Sequence, residues 1–321
     1  MKRNFKKCFI TGITGAGGSY LAEFILKQNK SVKIFGSYRS KGNISLLKKK
    51  YNKKIKFFKI NLNNYKKLKI ILKKIRPDLI FNFASNPGVR LSFDFPREFI
   101  NNNFNSSFNL FESVRTLNFK PLIIHCSTSE VYGSVSKKDV PIKENLKMCP
   151  VSPYALSKAY QDMAAQMYNN IYGLKIIITR MFTYINPRRN NLFQSAFAKQ
   201  ILEIKENKKK ILNHGNLNSI RSFISLNDAM RAYWMAATNG KIGKIYNIGG
   251  TNSHTVKHIL NKLIKISEIK VRKKVKKKLI RIKDVTLQIP DTKLFTKDTG
   301  WKPNESLDFA LKDLLQKIKN N

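Results

Sequence analysis

The first half of the chain alternates short apolar runs with longer stretches whose apolar residues recur at helical spacing. KKCFITG, VKIFGSY, IKFFKI, DLIFNFAS and PLIIHCS predict five buried strands, and the segments between them have the length and periodicity of helices. LKIIITRMF, Leu174 to Phe182, predicts a sixth strand after a long helix that starts near Pro153. This is the βαβ rhythm of an α/β fold: a Rossmann-type, doubly wound parallel sheet with helices on both faces.

Beyond residue 185 the alternation loosens. A helix is predicted near Leu192 to Glu206, another at Leu226 to Ala237, then a strand at KIYNIGG and a helix after Thr255. These elements predict a smaller mixed α/β C-terminal portion, with one or two elements returning to the main sheet. There is no internal repeat or low-complexity linker, so a division into 1–180 and 181–321 has a soft boundary.

Ligands of such sheets bind outside the carboxyl ends of the strands. TGITGAGGS, FASNPG, STSEVYG and TRMFTYINPRR all fall there, which predicts one shared cleft. In TGITGAGGSYLAEFIL, Gly12, Gly15 and Gly18 follow a strand and open an amphipathic helix. That order lets the backbone approach a dinucleotide's pyrophosphate at the helix's positive end. A tight glycine turn without a ligand is the weaker explanation. At the end of the second strand, IFGSYRSKGN has no acid to hold a ribose 2′-hydroxyl and offers Arg39 instead. Arginine there favours a 2′-phosphate, so NADP is expected over NAD.

VSPYALSKAYQ pairs a capping Ser152 and first-turn Pro153 with Tyr154 and Lys158, four apart on one helix face. An ammonium close to the phenol would lower its pKa toward use as a base. A solvated helix face is the bland reading of such a pair, and its position after the glycine motif favours catalysis. Glu130, in IIHCSTSEVYGS, stands at the mouth of a buried strand, where a carboxylate must be solvated, paired or used.

Composition changes this picture little. With 321 residues and 42% hydrophobic content the chain can bury a large core. No apolar run approaches the roughly 20 residues a bilayer needs, so no membrane partner is expected, and the short apolar start reads as a strand of a cytoplasmic protein. Cys8, Cys126 and Cys149 have no CxxC spacing, and the first two sit in predicted strands as small core residues. The net charge of +43 is densest in KVRKKVKKKLIRIK, Lys270 to Lys283. Because lysine is spread over nearly every helix, a nucleic-acid partner is not expected, whereas a nucleotide-shaped substrate fits the excess. His254 and His258 lack a third ligand at matching spacing, and no metal is expected.

Together these motifs resemble the extended short-chain dehydrogenases/reductases, in the nucleotide-sugar epimerase/dehydratase group. The resemblance runs from TGITGAGGSYLAEFIL through STSEVYG and SPYALSK to DTGWKPNESLDFALKDLL. It is strongest toward GDP-mannose 4,6-dehydratases and GDP-4-keto-6-deoxymannose reductases. It implies an NADP-binding part at 1–180 and a nucleotide-sugar-binding part at 181–321. It also implies a catalytic set of Thr128, Glu130, Tyr154 and Lys158, with Glu130 carrying a proton from C5 to the leaving C6 oxygen. Cofactor contacts are implied for Gly12, Gly15, Gly18, Arg39, Asn61, Leu62, Ala84, Tyr154 and Lys158, and substrate contacts for Asn103, Arg188, Arg189, Arg221 and Arg281. Asn61 and Thr183 depart from the family's usual aspartate and asparagine, and Asn86 and Pro87 are unusual too. The resemblance implies GDP-mannose or its 4-keto-6-deoxy derivative as substrate and a homodimer or homotetramer. A ketosugar reductase or epimerase on the same site is the alternative, and an NADP-sensing or RNA-associated protein is the alternative from another class.

Overall fold

The computed structural model describes residues 2–190 and 192–320. Each predicted apolar run forms a strand: β1 (Lys7–Thr11), β2 (Lys33–Tyr38), β3 (Ile55–Lys59), β4 (Leu79–Asn82), β5 (Leu122–Thr128) and β6 (Ile176–Met181). The helices between and beside them are α1 (Ala16–Gln28), α2 (Ile44–Tyr51), α3 (Tyr65–Ile75), α4 (Val89–Asp94), α5 (Pro96–Thr116) and α6 (Pro153–Tyr172). The rest of the chain adds α7 (Phe193–Lys205), β7 (Ile211–His214), β8 (Ile220–Ser222), α8 (Leu226–Asn239), β9 (Ile245–Ile248), β10 (Ser253–Thr255), α9 (Val256–Ser267), β11 (Arg272–Val275), β12 (Leu287–Gln288), α10 (Lys293–Thr299) and α11 (Leu307–Lys319).

Among the described residues the main sheet has seven parallel strands in the order β3-β2-β1-β4-β5-β6-β9. The order reverses between β1 and β4, and there the crevice at the strand ends opens. Neighbouring residues of each strand face opposite sides, so both must be apolar. Phe9, Ile80, Ile123 and Ile178 pack with α3, α5 and α6, while Ile10, Phe81, Ile124 and Ile177 pack with α1 and α8. Burying one such side chain contributes roughly 1.5–3 kcal/mol.

The later elements divide. Phe197, Ile201, Ile259, Leu263, Leu311 and Leu314, from α7, α9 and α11, form a separate core over the crevice. By contrast α8 covers the main sheet, and β9 pairs with β6 as its last strand. Two small sheets, β10-β8-β12 and β11-β7, complete the cap. They were not legible in advance because their strands are two to four residues long and mostly polar.

Helix α6 is positioned with particular care. Ser152 accepts the Ala155 N–H at 3.0 Å to start it, and Gly173, at φ +66°, ends it in the left-handed region. Midway, the buried Asp162 carboxylate receives Arg180 of β6 through Nε and Nη2, at 2.9 and 3.0 Å, and the Ser127 hydroxyl of β5 at 2.7 Å. Arg180 also donates to the Tyr132 hydroxyl, which donates to Asn247 of β9. Burial pushes the Asp162 carboxyl upward, but the guanidinium and hydroxyl outweigh it and leave the group below its ordinary value.

Removing one partner of such a pair leaves a buried charge, so Asp162→Ala is expected to cost about 3–5 kcal/mol in urea denaturation. The depressed carboxyl stabilises the fold above about pH 4, the value of a free aspartate, and that share is lost as pH falls further. Wild type should therefore lose stability on acidification more steeply than Asp162→Asn. Equal acid limbs would show that the pair does not carry this share.

Candidate active site

The crevice is a cavity of about 700 Å³ at the carboxyl ends of β1, β4, β5 and β6. All four strand-end segments contribute to its lining, through Gly12, Phe83, Thr128 and Thr183 among others. At its floor Gly12 adopts φ +66°, and a Cβ on it would stand 3.1 Å from the Ala84 Cα. A Cβ on Gly18 would lie 2.6 Å from the Gly12 carbonyl, so only glycine lets α1 approach the β1 turn this closely. Gly15 begins α1 with no side-chain cap, and Gly15 to Gly18 face the cavity. Uncapped amides at a positive helix end suit a dinucleotide's diphosphate. The cradle fits that group.

On the opposite wall stand Tyr154 and Lys158 of α6. Lys158 is buried and donates to the Cys126 carbonyl at 2.7 Å and to Gln161 Oε1 at 2.5 Å. Burial pulls its ammonium down to about 8. The sequence reading that Lys158 lowers the Tyr154 phenol is corrected here. Burial pushes the phenol up, and the opposing cation is Arg189. Sequence spacing placed Lys158 beside Tyr154, but the ammonium is drawn to a carbonyl and an amide deeper in the wall.

Glu130 reaches the cavity because β5 ends in a tight 3-10 turn, Ser129–Tyr132. Thr128 caps it by accepting the Glu130 N–H at 3.3 Å. One carboxylate oxygen, Oε1, lies 3.6 Å from Nη1 of Arg281, and the other, Oε2, is buried with no hydrogen-bond partner among the described residues. A buried acceptor at the lining of a cavity is suited to receive a hydroxyl.

The arginines separate. Arg189, Arg221 and Arg281 line the cavity. Arg221 is fixed: it donates to Gln288 Oε1 and to the Val285 carbonyl, and burial lowers its pKa. The structure does not bring Arg188 to the cavity. Its guanidinium turns onto α1, donating to Ser19 at 2.9 Å and Glu23 at 2.7 Å over the Tyr20 ring. Nor does Asn103 reach it. That side chain lies inside α5, accepting the Asn86 N–H at 2.6 Å and donating to Ser157 at 2.9 Å, and so clamps the β4 loop to α6. For both residues the resemblance implies substrate contacts, whereas here buried local partners claim them.

A second recess, of about 470 Å³, lies at the ends of β2 and β3. Arg39 and Asn61 border it, with Arg39 donating to Asn102 at 2.6 Å and Asn86 at 2.8 Å. Leu62 is buried, its carbonyl accepting from Asn109, and the Ala84 N–H donates to Thr11. Sequence reasoning missed Gln161, Asp284 and Gln288, polar residues that hold the cavity's cations. Asp284 had a signal, being the lone acid within LIRIKDV. His254 lies on β10 rather than on a helix, its ring stacked on His258 at 4.6 Å. Among the described residues no group of three or more His, Cys, Asp or Glu is placed to hold a metal, and no helix is long and apolar enough to cross a membrane.

Known proteins share this fold. The chain is 29% identical over 324 residues to a UDP-glucuronate 4-epimerase of Thermodesulfobacterium geofontis, covering 97% of this chain and 96% of that enzyme. It is 31% identical over 239 residues to a GDP-mannose 4,6-dehydratase of Yersinia enterocolitica, covering 72% of this chain and 64% of that enzyme. The crystal structure of UDP-glucuronic acid 4-epimerase from Bacillus cereus, in complex with UDP-glucuronic acid and NAD, superposes with a TM-score of 0.87 at 28% identity, over 98% of this chain and 99% of that one. The family model described as GDP-mannose 4,6 dehydratase matches residues 9–314. The chain belongs to that family, among the nucleotide-sugar epimerases, dehydratases and reductases of the extended short-chain dehydrogenases/reductases.

Proposed function

We propose that this enzyme is a nucleotide-sugar 4,6-dehydratase that converts GDP-mannose to GDP-4-keto-6-deoxymannose. The observation that carries this reading is Glu130, a cavity carboxylate whose Oε2 is buried without a partner among the described residues. Oxidation or epimerisation at C4 needs no such group. Removal of water across C5 and C6 needs a base for one proton and an acid for one leaving hydroxyl, and a single carboxylate supplies both.

The glycine cradle and Arg39 would hold a nicotinamide dinucleotide, NADP in preference to NAD. Bound there, it supplies a hydride acceptor for C4, reused as donor at C6, and a positive ring charge. Tyr154 accepts the 4-hydroxyl proton, with Arg189 stabilising the phenolate against the burial that opposes it. Thr128 donates a hydrogen bond to the 4-oxygen. The 4-ketone acidifies the C5 proton; Glu130 takes it and delivers it to the C6 oxygen, which leaves as water, and the proton that Tyr154 holds then goes back to C5, so that both groups end as they began. Lys158 holds the cofactor ribose. Arg189, Arg221 and Arg281 receive the diphosphate, a task that suits guanidinium forks.

A second reading, 4-epimerisation, is favoured by the nearly full-length similarity to UDP-glucuronate 4-epimerases. Mass spectrometry and NMR of GDP-mannose incubated with enzyme and catalytic NADP, without added reductant, decide between them. Loss of one water is expected, and Glu130→Gln should slow it by about 10²–10⁴-fold while cofactor binding persists. UDP-glucuronate inverted at C4 while GDP-mannose stays intact would replace the dehydratase by the epimerase. Consumption of the 4-keto-6-deoxy sugar with stoichiometric NADPH would replace it by the reductase.

For the cofactor, Arg39→Ala should weaken NADPH about tenfold in a fluorescence titration and leave NADH nearly unchanged, as expected for loss of a charge-assisted phosphate contact. Equal losses for both would remove the NADP preference. For assembly, Tyr160, Met163, Met167 and Ile171 form an exposed apolar stripe along α6 at helical spacing. We assign this stripe to a two-fold contact between copies, in a homodimer or homotetramer. Sedimentation equilibrium should find an oligomer that Met163→Lys with Met167→Lys reduces, and a monomeric wild type would refute the assignment.

A further inference from the structure

Between β11 and β12 the chain runs as a strap that contributes Lys278, Leu279, Arg281 and Asp284 to the cavity lining. Its far end is fastened to the cap. Asp284 Oδ2 accepts the Ser219 hydroxyl at 2.8 Å and the Asn216 amide at 2.9 Å, and the Thr286 carbonyl accepts the Ile220 N–H at 2.7 Å. The near end is wedged by the Leu279 carbonyl, which would stand 2.5 Å from a Cβ on Gly215. Between these holds the chain bulges outward, with Ile282 80% exposed, while Arg281 turns inward to line the cavity.

The two strap-facing arginines differ in freedom. Arg221 is buried, and both terminal nitrogens are committed to short bonds. Arg281 is 27% exposed and, among the described residues, held only by long contacts, 3.4 Å to Asp284 and 3.6 Å to Glu130. Glu130 also faces Tyr154 of α6 and Arg221 of β8, with Arg189 beyond the phenol, while Lys158 is engaged inside the wall. Among the described residues Arg281 is the one cation within ion-pair distance of the Glu130 carboxylate.

A diphosphate presents two charges and several oxygens to a guanidinium, against one carboxylate oxygen at 3.6 Å. The loosely held partner is the one that exchanges. Resting on the proposal that this cavity takes nucleotide sugars, we infer that Arg281 is a specificity-determining residue that couples diphosphate recognition to the reacting carboxylate. In the free enzyme it bridges Asp284 and Glu130. A bound nucleoside diphosphate draws it off Glu130, whose carboxylate then turns to the sugar. A hexose without the diphosphate meets a carboxylate that is still engaged, so discrimination is exercised on reactivity as well as on binding.

The test is carboxylate labelling of the full-length enzyme with a water-soluble carbodiimide and an amine, read at Glu130 by peptide mass spectrometry. GDP and UDP serve as probes, because they lack the sugar and leave that end of the cavity open. Calorimetry on the same samples records whether each nucleotide binds. Labelling of Glu130 should rise several-fold when a nucleotide binds. In Arg281→Met it should be high already and unresponsive to nucleotide, and Arg281→Lys should restore part of the response. A nucleotide that binds while Glu130 labelling stays level or falls overturns the coupling and leaves the nucleotide-sugar site intact. Equal labelling of wild type and Arg281→Met without nucleotide overturns it too. Failure of both nucleotides to bind removes the site proposal, and the coupling with it.

Discussion

A guanidinium and a carboxylate buried where β6 meets α6 decide where the chemistry sits. Asp162 receives Arg180 from one strand and Ser127 from the next, and Ser127 is the residue before Thr128. One ion pair therefore sets the distance between the helix of Tyr154 and Lys158 and the turn of Thr128 and Glu130. Burying both charges is costly, and an apolar substitute of equal volume could be as stable. What an apolar contact would lack is direction. A forked pair with a third donor fixes the rotation and height of the helix, a precision that the proposed chemistry would need.

The main sheet was legible because its central strands β1, β4, β5 and β6 are buried on both faces and alternate with helical stretches, the pattern of a doubly covered parallel sheet. The glycine turn was legible for a similar reason: few arrangements other than a close helix approach call for glycine at 12, 15 and 18. The side-chain roles were less so. Arg188 and Arg189 are adjacent in sequence, yet the turn that carries them sends one guanidinium onto α1 and the other into the cavity. Periodicity says nothing about such a choice. Asn103 looks like any polar helix residue until the β4 loop is folded against it. The short cap strands have too few residues to show any period, and in so basic a chain their lysines mask the few acids, such as Asp284, that organise the site.

Charge deserves the same distinction between abundance and placement. The formal excess of +43 is carried mainly by lysines, spread over loops, strands and helices alike. Inside the cavity the cations are mostly arginines, each with a defined partner or a defined lack of one. Surface lysines are mobile and screened by salt, whereas a buried guanidinium is a fixed donor array. The surplus draws anions of many kinds toward the protein.

The place of β9 in the sheet bears on how the protein is made. A chain synthesised from its amino end has completed Tyr154 and Lys158 long before Ile245–Ile248 exists, so for that interval β6 is an open edge. Its sequence, IIITRM, is apolar and β-branched, the kind of edge to which another chain adds a strand. Every molecule passes through this exposure on the ribosome, and it closes only when the last quarter of the polypeptide begins to emerge. Chain order thus sets a race between self-completion and aggregation, one that the finished enzyme no longer displays.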